Sequence, residues 1–124
     1  MKQWLAIAAG GAIGALLRYW ASTGTHALLG RAFPYGTFTV NVLGSLAMGF
    51  LYVWLLDRVV SGPVVRAFLL IGLLGGFTTF SSFSIESLNL IEAGQVFKAL
   101  VNVLLSVTAC IAAAGLGVLV ARQL

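Results

Sequence analysis

Four long apolar stretches, separated by short connections, occupy nearly the whole chain. They predict helices at about residues 4–29, 36–56, 64–91 and 96–121. A helix that crosses a bilayer needs about 20 mostly apolar residues, and each stretch reaches that length. In a chain of 124 residues these helices leave no length for a further water-soluble domain. The sequence therefore predicts an all-α membrane protein with four transmembrane helices, folded as one domain over residues 1–124.

The composition excludes several other classes of protein. Hydrophobic residues make up 60% of the chain and charged residues 8%, whereas about a quarter of the residues in an average soluble domain are charged. The seven basic residues are scattered singly, without the run that a nucleic-acid-binding patch needs. The only cysteine is Cys110, so an intrachain disulfide cannot form.

The third stretch is longer than a bilayer requires and has a polar interruption. Gly75 and Gly76 are followed by residues 78–84, which carry five hydroxyl groups and two phenylalanine rings. In hydrocarbon every unpaired polar group is costly, so these side chains must face protein, water or an ion. We therefore expect the third helix to break near residues 75–78.

Two helices carry polar side chains at a spacing of four residues. These are Thr37, Asn41 and Ser45 in the second helix, and Asn102, Ser106 and Cys110 in the fourth. Residues four apart lie on one helical face. Such a stripe is typical either of hydrogen bonding between helices or of a narrow hydrated path, and both interpretations remain open for each stripe taken alone.

The aromatic pair in the third stretch favours a narrow hydrated path over simple hydrogen bonding between helices. Phe80 and Phe83 are three residues apart, beside Thr79 and Ser82. Aromatic rings have a positive edge. Ring edges, hydroxyl protons and the amide of Asn41 would together line a path that is weakly positive without a full charge. Such a lining suits a small anion, because conduction requires weak binding at several sites.

Catalytic groups are scarce. The only carboxylates are Asp57, Glu86 and Glu92, and the only histidine is His26, which we interpret as a residue at the membrane interface. Catalysis normally recruits paired acids, a nucleophile with its base, or a cluster of metal ligands. We therefore do not expect an enzyme.

Arg18 is the one charge well inside the first helix. An ionisable residue within a membrane is a functional candidate by default. Arg18 is expected either to line an aqueous vestibule that attracts anions or to anchor the fold.

The numbers of basic residues on the two sides of the membrane are nearly balanced. With four spans both chain ends share one side of the membrane. That side has Lys2, Arg58, Arg66 and Arg122, and the other has Arg31 and Lys98. Basic residues set orientation, so a weak bias allows insertion in both directions. We expect an antiparallel, dual-topology homodimer. The alternative is a single orientation with both ends in the cytoplasm.

Three segments carry a resemblance to a known family. Residues 10–19, 36–44 and 72–84 resemble, in this order, the signature stretches of the CrcB/Fluc fluoride channels. The resemblance covers three of the four helices and agrees with the family in total length. It implies an antiparallel homodimer in the bacterial inner membrane that passively exports fluoride from the cytoplasm and so lowers its toxicity.

The resemblance also implies roles for particular residues. The fluoride pore residues are expected to be Asn41, Thr79, Phe80, Ser81, Ser82, Phe83 and Ser106. A structural Na⁺ is expected at the dimer interface, bound by the backbone carbonyls of Gly75 and Thr78 from both subunits. The fourth helix departs from the family pattern, since it has Asn102 and Cys110 along a track where some relatives place a tyrosine and further hydroxyls.

Two other classes of function remain open. A small proton-coupled multidrug transporter has a similar size and needs a carboxylate within the membrane, for which Glu86 is the candidate. A structural subunit of a larger assembly would transport nothing by itself.

Overall fold

The computed structural model describes residues 2–58 and 61–124, and every regular element in these ranges is helical. Four helical segments there are long and apolar enough to cross a membrane. We refer to them as the first to fourth spans: Lys2–Leu29, Tyr35–Asp57, Pro63–Glu92 and Val96–Gln123. The predicted all-α protein with four spans is thus confirmed, and the chain is a multi-pass membrane protein. The side chain of Arg58, which entered the charge argument, lies outside the described part.

The first and last spans are single helices, whereas the middle two change helical type along their length. The elements are α1 Lys2–Leu29; α2 Tyr35–Val53, continued by a π-helical turn Trp54–Arg58; α3 Pro63–Arg66, continued by a π-helical segment Ala67–Leu74; α4 Gly75–Phe77; α5 Phe80–Glu92; and α6 Val96–Gln123.

Turn residues fix where several helices begin and end. Gly30 and Gly94 follow α1 and α5 with φ of +85° and +80°. These are left-handed conformations that glycine adopts without steric cost. Pro63 occupies the first turn of α3, where its missing N–H is no loss. These local signals explain why the helices begin and end at these residues.

Glycines bring pairs of helices into backbone contact. A methyl group on Gly14 would collide with the Leu73 carbonyl, so α1 lies directly against the third span. In the same way Gly49 and Gly117 let α2 and α6 meet, at Ala114 and Leu46 respectively. Lipid provides no hydrophobic drive for helices to associate, so close packing of small residues holds such bundles together.

Candidate functional site

Two residues with extended backbone, Thr78 and Thr79, separate α4 from α5. Asn41 of α2 pairs with the second of them. The Thr79 N–H donates to Asn41 Oδ1 at 2.8 Å, and Asn41 Nδ2 donates to the Thr79 carbonyl at 3.0 Å. One side-chain amide thus replaces both hydrogen bonds that a continuous helix would have given Thr79, which satisfies polar backbone at membrane depth.

Two carbonyls close to the interruption also accept hydrogen bonds from side chains. Arg18 Nε donates to the Gly76 carbonyl at 2.9 Å, and Thr78 Oγ1 donates to the Leu74 carbonyl at 3.0 Å. The C-terminal end of a helix carries partial negative charge, so a guanidinium there is favourable. Of the two roles expected for Arg18, this contact supports anchoring the fold. Arg18 also lines a small cavity together with Thr79 and Glu86.

Thr79 caps the start of α5. Its Oγ1 accepts a hydrogen bond from the Ser82 N–H at 3.2 Å and lies 3.1 Å from Ser82 Oγ, to which it donates. Ser81 Oγ lies 3.4 Å from the same oxygen. Threonine is a common residue at this position because its hydroxyl satisfies a free N–H of the first turn. Most of the polar run is therefore used to build the start of α5.

A cavity of about 420 Å³ opens beside the extended pair, between α2, α5 and α6. Phe80 and Phe83 lie on its wall, with ring centroids 5.3 Å apart and planes inclined by 46°. Phe83 is 9% exposed, whereas Phe80 is 75% exposed on the surface of the single protomer. None of the described residues on the wall is charged. They are Asn41, Gly44, Ser45, Met48, Thr78, Thr79, Phe80, Phe83, Ser106, Val107, Cys110, Ile111 and Ala114.

A buried hydrogen-bond network joins α5 to α6 at this wall. Asn102 Nδ2 donates to Ser87 Oγ at 2.9 Å, and Ser106 Oγ donates to Asn102 Oδ1 at 3.3 Å. All three side chains are at most 8% exposed. Hydrogen bonding is what permits such polar groups to be buried.

A second, more polar region lies on the other side of Thr79. A cavity of about 180 Å³ is lined by Arg18, Thr37, Thr79, Ser82 and Glu86 among others. Within it the Thr37 hydroxyl donates to Glu86 Oε1 at 2.5 Å. Glu86 also borders a larger cavity of about 460 Å³, where the lining includes His26 and Arg31. Thr79 therefore separates a charged region from an uncharged one.

The structure brings together most of the side chains singled out from the sequence. Asn41, Thr79, Phe80, Phe83 and Ser106 share the uncharged cavity. Ser82 instead faces the small polar cavity, and Ser81 lines none of the three cavities described here.

Sequence reasoning missed Ser87 and the pairing of Thr37 with Glu86. Ser87 belongs to no polar stripe, although its position four residues after Phe83 was a usable signal. Nothing in the sequence predicts that Thr37 pairs with Glu86, because the two residues are 49 positions apart.

The fold and the cavities define a small multi-pass membrane protein with a polar interruption in its third span. Residues 5–118 match the family described as CrcB-like protein, Camphor Resistance (CrcB). The chain belongs to this family.

Curated relatives support the assignment over the full chain. The chain is 57% identical over 113 residues to the fluoride-specific ion channel FluC of Coxiella burnetii (strain Dugway 5J108-111), covering 90% of each. It is 47% identical over 124 residues to the protein of the same name from Geobacter sulfurreducens, covering all of both. For the one from Methylococcus capsulatus the identity is 52% over 119 residues, which is 96% of this chain and 52% of that protein. The chain thus spans about half the length of this last relative.

Proposed function

We propose that this protein is a passive, fluoride-selective channel of the bacterial inner membrane that lets fluoride leave the cytoplasm down its electrochemical gradient. One observation carries the proposal: an uncharged cavity at a helix interruption is lined by an amide, hydroxyls and two phenylalanine rings. The names of the curated relatives support fluoride as the ion.

The lining matches the chemistry of a small, strongly hydrated anion. Asn41 Nδ2 has two N–H bonds and gives only one of them to Thr79, so the other is available to an anion. The ring edges of Phe80 and Phe83 add weak positive charge. Since no lysine or arginine is among the described lining residues, fluoride would be held weakly enough to leave, as conduction requires.

We further propose that the channel is an antiparallel homodimer. The 75% exposure of the Phe80 ring supports a second copy, because a pore residue has to be enclosed. Gly75 is also exposed beside the interruption. An antiparallel pair fits the near balance of basic residues on the two sides.

The interruption in the third span suits a structural Na⁺ at the dimer interface. The Thr78 N–H donates to the Leu74 carbonyl and the Thr79 N–H donates to Asn41 Oδ1. Neither N–H therefore bonds to the Gly75 carbonyl, which would accept from Thr79 in a continuous helix. Unwound backbone carbonyls commonly coordinate Na⁺ in membrane proteins. The carbonyls of Gly75 and Thr78 from two copies would hold the ion, whose charge would offset their partial negative charge.

The proton-coupled transporter that uses Glu86 is a weaker candidate. Glu86 is half-buried and accepts a hydrogen bond from Thr37, an environment that is compatible with a proton-exchanging carboxylate. The relatives are named as fluoride channels, which does not favour this alternative.

Efflux from liposomes tests the proposed function. The purified protein is reconstituted into vesicles loaded with potassium fluoride, valinomycin is added, and release is followed with a fluoride electrode beside a chloride-loaded control. Rapid fluoride release with negligible chloride release is expected. If correctly inserted protein releases neither fluoride nor chloride, the proposal is contradicted and the transporter that uses Glu86 becomes the candidate to test.

A further inference from the structure

Asn102 belongs to the network behind the uncharged cavity but does not reach the cavity itself. It is 2% exposed and is one of the two largest fully buried side chains among the described residues. It contacts Ser87 on one side and Ser106 on the other. Of these three residues, only Ser106 lies on the cavity wall.

The direction of the two hydrogen bonds determines what Ser106 offers to the cavity. A serine hydroxyl has one proton and two lone pairs. In the structure the Ser106 proton is donated to Asn102 Oδ1, so Ser106 presents only lone pairs elsewhere. Lone pairs repel an anion, and Ser106 therefore cannot donate to fluoride in this arrangement.

The same three side chains have a second arrangement with equally many hydrogen bonds. Rotating the Asn102 amide by half a turn exchanges Oδ1 and Nδ2. The Ser87 hydroxyl then donates to Oδ1, and Nδ2 donates to Ser106 Oγ. The Ser106 proton is released toward the cavity, and no buried polar group loses its partner, because hydroxyls and amides can each donate and accept.

We propose that Asn102 is a positioning residue that switches Ser106 between an accepting and a donating state. This inference rests on the proposed fluoride conduction. An anion in the cavity stabilises the rotated amide, since only then does it receive the Ser106 proton. The N–H that Asn102 gives to Ser106 also strengthens that hydroxyl as a donor, because hydrogen bonds in a chain polarise one another. When the anion leaves, the amide rotates back.

A double-mutant cycle tests this role. Asn102→Leu removes the amide at similar volume, and Ser106→Ala removes the hydroxyl through which Asn102 acts. We expect Asn102→Leu to lower fluoride efflux about tenfold in the unaltered chain, the size of effect expected when Ser106 loses the hydrogen bond that Asn102 Nδ2 donates to it in the rotated arrangement. In the Ser106→Ala background Asn102→Leu should have no further effect. A merely structural residue would lower efflux by the same factor in both backgrounds, which overturns the proposal, as does unchanged efflux from Asn102→Leu.

A second variant keeps the proposal testable if Asn102→Leu fails to fold. Ser87→Ala is a small change on a helix and leaves the Asn102 amide in place, but the rotated amide then has no donor for Oδ1. Ser87→Ala is expected to lower fluoride efflux in the otherwise unaltered chain but not in the Ser106→Ala background. Equal losses in the two backgrounds count against the proposal. Thr108→Ala is the matched control, since Thr108 lies on the same helix as Ser106 and its exposed hydroxyl donates to the Leu104 carbonyl.

The two proposals fail in different ways. Absence of fluoride efflux from the unaltered chain rejects the proposed function. Efflux from the unaltered chain, together with additive effects in the cycle, rejects only the role of Asn102. Size-exclusion profiles of each variant establish that efflux is compared at equal amounts of intact protein.

Discussion

The side-chain amide of Asn41 is hydrogen-bonded to both backbone polar groups of Thr79, at 2.8 and 3.0 Å, although the residues are 38 positions apart. Asn41 therefore satisfies the backbone between α4 and α5, and under the proposed function its remaining N–H would serve an anion in the uncharged cavity. A substitution at Asn41 should consequently affect stability and conduction together.

Asn41→Ala is expected to lower both fluoride efflux and stability. Two half-buried backbone groups lose their partners, and each such loss costs about 1–3 kcal/mol. The measurements are the thermal unfolding midpoint in detergent and the efflux rate in liposomes. Thr39→Ala is the control, because Thr39 lies on the same helix and lines none of the three cavities. An unchanged midpoint for Asn41→Ala would contradict the structural function of the amide.

Phe80→Ile and Phe83→Ile should each reduce fluoride efflux about tenfold or more, which corresponds to about 1.4 kcal/mol of barrier height. Isoleucine is apolar but has no positive ring edge. Because the Phe83 ring is only 9% exposed within the protomer, Phe83→Ile should in addition carry a repacking cost of about 1 kcal/mol. Normal efflux in both variants refutes the proposed role of the rings.

Arg18→Met is expected to destabilise the protein by about 1.5–3 kcal/mol, the contribution of a hydrogen bond from a charged donor. The physical reason is the bond from Arg18 Nε to the Gly76 carbonyl. Arg18→Lys keeps the charge without the planar fork of the guanidinium, so it should restore little of the stability. Full recovery of both the thermal midpoint and the efflux in Arg18→Lys would instead favour a vestibule charge as the main role.

Glu86→Gln should largely spare fluoride efflux. The glutamine oxygen can still accept the Thr37 hydroxyl, and passive conduction needs no proton exchange. Efflux is compared with that of Glu92→Gln, an exposed carboxylate at the end of α5. Loss of transport only in Glu86→Gln, together with proton-driven uptake of a cationic drug, would support the transporter alternative.

A topology reporter fused after Leu124 should be found on both sides of the membrane. Four basic residues on one side against two on the other give a weak bias. Gln3→Arg combined with Gln123→Arg should shift the reporter toward the cytoplasm, because it strengthens that bias. A reporter on one side only in the unaltered chain contradicts the dual topology.

The sequence by itself determined the four spans and the residue types at the candidate site. Three features are local: the long apolar stretches, the turn residues between them and the hydroxyl-rich run after Gly76. In a bilayer the apolar stretches have to form helices, and the hydroxyl-rich run marks where the third helix is interrupted. The aromatic pair and the stripe containing Asn41 were also readable, because a helix places residues three or four apart on one face.

Only the tertiary structure decided which polar groups pair with one another. Arg18 meets the Gly76 carbonyl across 58 positions, and Asn102 turns toward Ser87 while holding the proton of Ser106. Periodicity gives the face of a helix but neither the neighbour on that face nor the direction of a hydrogen bond. Those follow from how closely the glycines let the helices approach and from the requirement that every buried polar group find a partner.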